Sequence, residues 1–282
     1  MTQSPIPPNQ TQSALWNSRG GEVWVEQQQL LDRLFLPFER LLADEVATGG
    51  ARNILDIGCG AGATTLAAAR RLAPEGQCTG LDISAPLIAA ARRRAETEGL
   101  TNAHFIAGDA QGHAFAPDSF DAVISRFGVM FFDDPAAAFA NLGRAVRRGA
   151  GLTFIAWRSA GDNPFMVTAE QASAPYLPKL EPRDPSAPGQ FAFADAERVR
   201  AILEPSWRDI DIQPLGVPCA LSVDDLATYA ARMGRVGQML PDLDEATRTT
   251  VIDAVNQAFA PFVADGVARF TAACWLVRAR AR

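Results

Sequence analysis

"DIGCGAGA", residues 56–63, sits between the apolar run "RNIL" and the alanine-rich "TTLAAARRL". Three glycines between a strand-like run and a helix-like run let a backbone pass close to a ligand. The spacing Gly58-x-Gly60-x-Gly62 leaves the ligand open, because Ala63 also completes G-x-G-x-x-A. A dinucleotide fingerprint therefore fits too, with Asp82 about twenty residues further on for a ribose. Asp56, two residues ahead of the first glycine, speaks against it. A carboxylate there repels a pyrophosphate but suits a ligand that carries an ammonium group.

Outward from this run, strand and helix patterns alternate. "ARNILDIG" predicts a short buried strand and "GATTLAAARRL" a helix. "GQCTGLDIS" holds a second strand ending at Asp82, followed by the helix "APLIAAARRRAETEG", which Gly99 stops. "AHFIAGDA" predicts a third strand ending near Gly108, and "FDAVISRFG" a fourth. "PAAAFANLGRAVRRG" predicts a helix with Pro135 in its first turn, and "GLTFIAWR" a fifth strand. This rhythm means a mostly parallel sheet with helices on both faces. Ligands of such sheets lie outside the carboxyl ends of the strands, where Asp56 to Gly62, Asp82, Asp109 and Ser125 to Phe127 all fall.

The flanks read differently. Gly21 to Ala47 carry apolar residues at helical spacing, with Pro37 expected to kink or split the run. The segment after Arg158 is rich in Pro, Ala and Ser and predicts a loop with one short helix. "DAERVRAILE" predicts a helix and "WRDIDIQPLG" a strand; two helical segments follow, and "VARFTAACWLVRARA" closes the chain as a long strand.

Composition narrows the functional classes. The 282 residues hold 48% hydrophobic and 21% charged side chains, enough for a real core. A net charge of −6 argues against a nucleic-acid partner. Cys59, Cys78, Cys219 and Cys274 form no CxxC pair, and His104 and His113 are the only histidines, so no metal site is expected. The polar start "MTQSPIPPNQTQS" is unlike a signal peptide, and no apolar run reaches membrane-span length. A cytoplasmic protein with a flexible tail is expected.

With these residues in place, the chain resembles the class I S-adenosylmethionine-dependent methyltransferases. "ILDIGCGAGATT" looks like their first motif, "TGLDIS" their second, "FIAGDAQ" their third and "FDAVISRFGVMFF" their fourth. The nearest subgroup looks like the UbiE-type small-molecule methyltransferases, and the one departure is "RRGAG" where the family often has Pro-Gly-Gly. The resemblance implies a Rossmann-like, seven-stranded, mostly parallel sheet with a helical cap, and S-adenosyl-L-methionine as cofactor. Its product would be S-adenosylhomocysteine, and its acceptor a small molecule methylated by in-line displacement; the Leu, Met and Phe of the expected cap segments point to a partly apolar acceptor. The alternatives kept open are an NAD(P)-dependent oxidoreductase and a catalytically silent S-adenosylmethionine-binding protein.

By position, the resemblance brings Gly58, Cys59, Gly60 and Gly62 close to the methionine part of the cofactor, with Asp56 orienting its amino group. Asp82 would take the ribose hydroxyls and Ile83 pack on the adenine; Gly108, Asp109 and Ala110 would border the adenine. Ser125 and Arg126 would lie by the sulfonium and the acceptor. His113 and Arg126 are the catalytic candidates, His113 as a base if the acceptor must lose a proton. Trp24, Met130 and Phe131 are candidates for the acceptor pocket, and Phe131 and Trp24 read equally well as core. The expected layout is a flexible tail (1–15), an N-terminal helical cap (16–47), the methyltransferase core (48–220), a helical cap insertion (221–265) and a final sheet strand (266–282), all one methyltransferase domain.

Overall fold

The computed structural model describes residues 9–72, 75–179 and 183–282. Residues 1–8 of the expected tail lie outside them. The rest of that tail is ordered: helix α1 covers Gln10–Trp16, and α2 (Arg19–Glu26) and α3 (Gln28–Thr48) follow. Pro37 lies inside α3 without splitting it, and the break falls at Gln27 instead. The loose-tail expectation is thus corrected from Asn9 onward.

The core then alternates as its sequence predicts. β1 is Asn53–Ile57, α4 Ala63–Arg71, β2 Gln77–Asp82, α5 Ala85–Glu98 and β3 Ala103–Ala107. β4 is Phe120–Arg126, α6 Pro135–Ala145 and β5 Val146–Trp157. The caps explain the boundaries. Ser84 caps α5 by accepting from Leu87 N, Gly99 ends that helix at φ 66°, and Asp134 caps α6 ahead of Pro135. "VRRG", expected at the end of α6, is instead the start of β5.

Beyond the core come α7 (Pro164–Ser173), α8 (Ala196–Leu203) and β6 (Trp207–Ser222). α9 (Val223–Arg232), α10 (Gly234–Met239) and α11 (Glu245–Phe259) form the cap insertion. The two-residue strand β7 (Val263–Ala264) and the long β8 (Val267–Ala281) finish the chain. The sheet order is β3-β2-β1-β4-β5-β8-β6, with β7 paired to β8 off this path. The first five strands are parallel; β8 runs antiparallel between β5 and β6. Seven strands in the main order match the expected Rossmann-like sheet.

Alternation along the strands builds two cores. Leu55, Ile57 and Val123 join the larger apolar cluster with α3, β5 and the C-terminal elements. Ile54 and Ile124 face the other way, into a smaller cluster with α4 and α5. Asp56 shares the parity of Ile54, so its carboxylate lies on the α4 side of the sheet. Arg278 on β8 donates to both oxygens of Glu45 (3.0 and 2.5 Å), which fastens α3 across the sheet.

Candidate functional site

The glycine loop begins where β1 ends. Gly58, Gly60 and Gly62 all have positive φ (65°, 55° and 87°), which side-chain-bearing residues rarely adopt. They do different things. A Cβ at Gly60 would stand in open space at the wall of a cavity of about 330 Å³. A Cβ on Gly62 would meet Ala91 at 2.9 Å and Phe105 at 3.0 Å, so Gly62 serves close packing of α4 on α5 and β3. Gly58 abuts Gly128, beyond β4, backbone to backbone.

Asp82, at the end of β2, lines the same cavity with its carboxylate held from behind. Oδ2 accepts from Gly60 N at 2.8 Å and Oδ1 from Ser84 N at 2.8 Å. Each oxygen keeps a lone pair for a ligand hydroxyl. Burial pushes the Asp82 carboxyl up, and the two backbone N–H groups oppose the shift. At the end of β3, Asp109 Oδ1 accepts from Gln111 N at 3.0 Å and from Asn9 Nδ2 at 3.2 Å.

α1 therefore lies across the mouths of β2 and β3, tied at both ends. Asn9 reaches Asp109 at one end. At the other, Ser84 Oγ donates to Trp16 O at 2.6 Å, and Asn17 bridges Ile83 O and Ala85 N at 2.9 Å each. The edge of Trp16 meets both Trp24 and Phe131 at centroid distances of 5.6 and 5.3 Å.

The cavity wall includes Gly58, Cys59, Gly60, Asp82, Ile83 and Gly108, and also Asp109, Ala110 and Arg126. Trp24, Met130 and Phe131 line it as well. Four expected residues do not reach the wall. Gly62 has the packing role above. Asp56 is fully buried; its Oδ2 accepts from Thr65 Oγ1 at 2.6 Å and its Oδ1 has no partner. Burial, opposed by the Thr65 hydroxyl, pushes this carboxyl up to about 7. Ser125 is buried and ties two strand ends together, donating to Ile57 O at 2.7 Å and accepting from Gly128 N at 3.2 Å. His113 turns its ring to Phe115, 4.6 Å away, with Nδ1 under Gly108.

Other wall residues went unsingled in the sequence: Asn9, Gln12, Asp32, Trp157, Met166 and Tyr229. Only Trp157, directly at the end of the fifth predicted strand, carried a positional signal. Phe127 adopts φ 64° while its ring stacks on Trp157 at 4.5 Å and 9°. A left-handed aromatic residue costs on the order of 1–3 kcal/mol and persists where its surroundings impose it.

The donor chemistry fits the implied cofactor. S-adenosylmethionine is rich in donors: an ammonium group, a ribose diol and an adenine amino group. The wall is rich in acceptors: the Asp82 and Asp109 carboxylates, and the buried, unpartnered Asn9 Oδ1 and Gln12 Oε1. Among the described residues no group of three or more His, Cys, Asp or Glu is placed to hold a metal ion.

The chain is similar to known methyltransferases. A family model described as "Methyltransferase domain" matches residues 54–149. The aklanonic acid methyltransferase DauC of Streptomyces sp. strain C5 is 32% identical over 163 residues, covering 55% of this chain and 73% of the relative. A demethylmenaquinone methyltransferase of Renibacterium salmoninarum is 29% identical over 175 residues, 62% of this chain and 68% of the relative. Among solved structures, the YcgJ protein of Bacillus subtilis superposes with a TM-score of 0.56 at 19% identity, covering 86% of this chain and 97% of that one.

Proposed function

The chain belongs to the class I S-adenosylmethionine-dependent methyltransferases, which transfer methyl groups to small-molecule acceptors, and from that premise we propose how its own residues divide the work. The bound cofactor supplies an electrophilic methyl group on sulfur. The Gly58–Gly60 backbone passes along its methionine part, and Asp82 takes the ribose diol. Asp109, Asn9 and Gln12 receive the adenine end beneath α1. Asp56 lies below the glycine loop, where its carboxylate, when ionised, favours the ammonium group.

The acceptor occupies the other half of the cavity, under Trp24, Met130, Phe131, Trp157 and Tyr229. These side chains offer an apolar surface, so the acceptor is a small, partly apolar molecule. The relatives' names include an acid and a quinone precursor as acceptors of those proteins. Displacement at a methyl carbon needs alignment and exclusion of water more than covalent help. The net charge of −6 speaks against a nucleic-acid partner. Among the described residues no helix is long and apolar enough to cross a membrane.

One observation carries this division: Asp82 is aimed into the cavity by two backbone N–H groups while Gly60 leaves the facing space open. Calorimetry with S-adenosylhomocysteine and, separately, NADPH tests it. Binding of the first and not the second is expected; binding of NADPH alone would overturn it. Transfer of radiolabelled methyl to small molecules of a cell extract separates an active enzyme from a silent binder.

A further inference from the structure

The cavity wall contains a guanidinium that no carboxylate contacts directly. Arg126 closes β4 and lies half-buried with its guanidinium 5.6 Å from the centroid of Phe35. Its side chain makes no hydrogen bond or ion pair with the described residues, and its Nη1 is buried without a partner. The nearby acids are engaged elsewhere or stand off. Asp32 Oδ2 takes Arg94 at 2.8 Å and Gln28 at 2.5 Å; Asp56 Oδ2 takes Thr65, and its Oδ1 has no partner, Arg126 included. Glu39 makes no ion pair with Arg126, although the two charges act on each other. The other arginine of the wall, Arg235, lies 3.8 Å from Glu170.

Keeping a guanidinium partly out of water without an anion is costly, and its planar fork suits a carboxylate or similar oxyanion. We propose that the acceptor is an apolar molecule bearing an anionic oxygen, and that Arg126 holds that oxygen inside the cavity. This rests on the methyl-transfer reading of the same cavity. Two anions compete for the role: an acceptor oxygen and the carboxylate of the cofactor. Placement favours the acceptor. Arg126 lies on Phe35 and directly precedes Phe127, whose ring stacks on Trp157, so it belongs to the aromatic half. The cofactor's sulfonium is also a cation. An anion between the guanidinium and the sulfonium interacts favourably with both, which a neutral acceptor does not.

An oxygen held as the anion accepts the methyl group without a base. The O–C bond forms as the C–S bond breaks, the C–S pair stays on sulfur, and no proton leaves. This agrees with a His113 ring that does not reach the cavity wall.

The test is equilibrium binding to the full chain loaded with S-adenosylhomocysteine, with 2-naphthoate as probe and 2-naphthamide as its neutral counterpart. Wild type is expected to bind the acid at least about tenfold tighter than the amide, as one charge-assisted bidentate contact provides. Arg126→Gln should abolish that preference, and Arg126→Lys should keep part of it, both with normal S-adenosylhomocysteine affinity. Equal binding of acid and amide to wild type, or no binding of the acid at millimolar concentration, overturns the proposal. So does a folded Arg126→Gln that keeps the preference. A folded variant that loses S-adenosylhomocysteine instead would assign Arg126 to the cofactor carboxylate and also overturn it. If Arg126→Gln does not fold, the wild-type pair of probes still decides. Failure of wild type to bind S-adenosylhomocysteine at all would strike the methyl-transfer reading itself, and is seen before any probe is added.

Discussion

Gly58 and Gly128 meet backbone to backbone: a Cβ on Gly58 would lie 2.5 Å from Gly128 Cα, and one on Gly128 would lie 2.6 Å from Gly58 Cα. The contact joins the loops after β1 and β4, and Ser125 reinforces it through Ile57 O and Gly128 N. Gly128→Ala is therefore expected to damage folding, by about 1–3 kcal/mol or more, as overpacking does. Gly60 has the opposite exposure, with open space around its missing Cβ. Gly60→Val should leave the sheet intact and weaken S-adenosylhomocysteine binding. Melting curves and calorimetry on both variants check the contrast; a Gly60→Val protein with normal affinity would make the loop a mere turn.

Asp82→Ala removes a ligand contact and two internal acceptors at once. Cofactor affinity is expected to fall at least about tenfold. The melting temperature should fall too, because Gly60 N and Ser84 N lose their partner, at a cost of about 1–3 kcal/mol for each donor left dry. Unchanged affinity in a folded variant would remove Asp82 from the ribose role.

Asp56 makes stability depend on pH. Burial raises its carboxyl from 3.8 to about 7. Between those values the unfolded chain is ionised while the folded chain keeps the proton. The folded state then binds more protons, and stability declines as pH rises through this window. Below it no penalty exists; above it the penalty is complete. Asp56→Asn should melt like wild type near the bottom of the window and higher than wild type above pH 7, by at most about 4 kcal/mol for a shift of this size. Parallel melting profiles of the two proteins from acid to neutral pH would refute this.

The tie between α1 and Asp109 is local and weak. Asn9→Ala should cost about 1 kcal/mol, one neutral-to-charged hydrogen bond at a partly exposed site. Hydrogen exchange is expected to quicken in residues 10–16, with β1 and β4 unaffected. Unaltered exchange in α1 would show that Trp16 and Asn17 hold the helix by themselves.

His113→Ala should reduce turnover less than about tenfold, since the ring faces Phe115 and the Gly108 backbone. A larger loss, of the 10²–10⁴ size of a missing general base, with normal cofactor affinity would make His113 catalytic after all.

The sequence made the sheet legible because its signals are local. The buried runs before Gly58 and Asp82, the stop at Gly99 and the cap at Asp134–Pro135 each predict their own boundary. β5 was legible only from Gly151 onward, since "VRRG" alternates too little to mark a strand before its partners on β4 and β8 are known. α1 was hidden for another reason. It is short and polar, with no buried residue of its own, and its anchors are made 66 to 100 residues away in sequence. Arg126 was visible as a candidate by position, but its lack of a partner is a property of the packed cavity. Asp56 and Ser125 carried the right motif, yet alternation along β1 and the tie across to β4 turn their side chains away from the cavity.

The β6–β8 hairpin has a bearing on how this enzyme could change over time. Ser222 and Val267 are register partners, and Val223 N donates to Gly266 O at 3.1 Å. The chain therefore leaves the sheet and returns to it at adjoining points, so the length and sequence of α9–α11 are lightly constrained by closure. Tyr229, Met233 and Arg235 of that insertion line the cavity, while Gly60, Asp82 and Asp109 stand at the carboxyl ends of β1, β2 and β3, strands that the hairpin does not touch. Changes confined to that excursion would alter three wall residues and leave the Gly60, Asp82 and Asp109 positions in place.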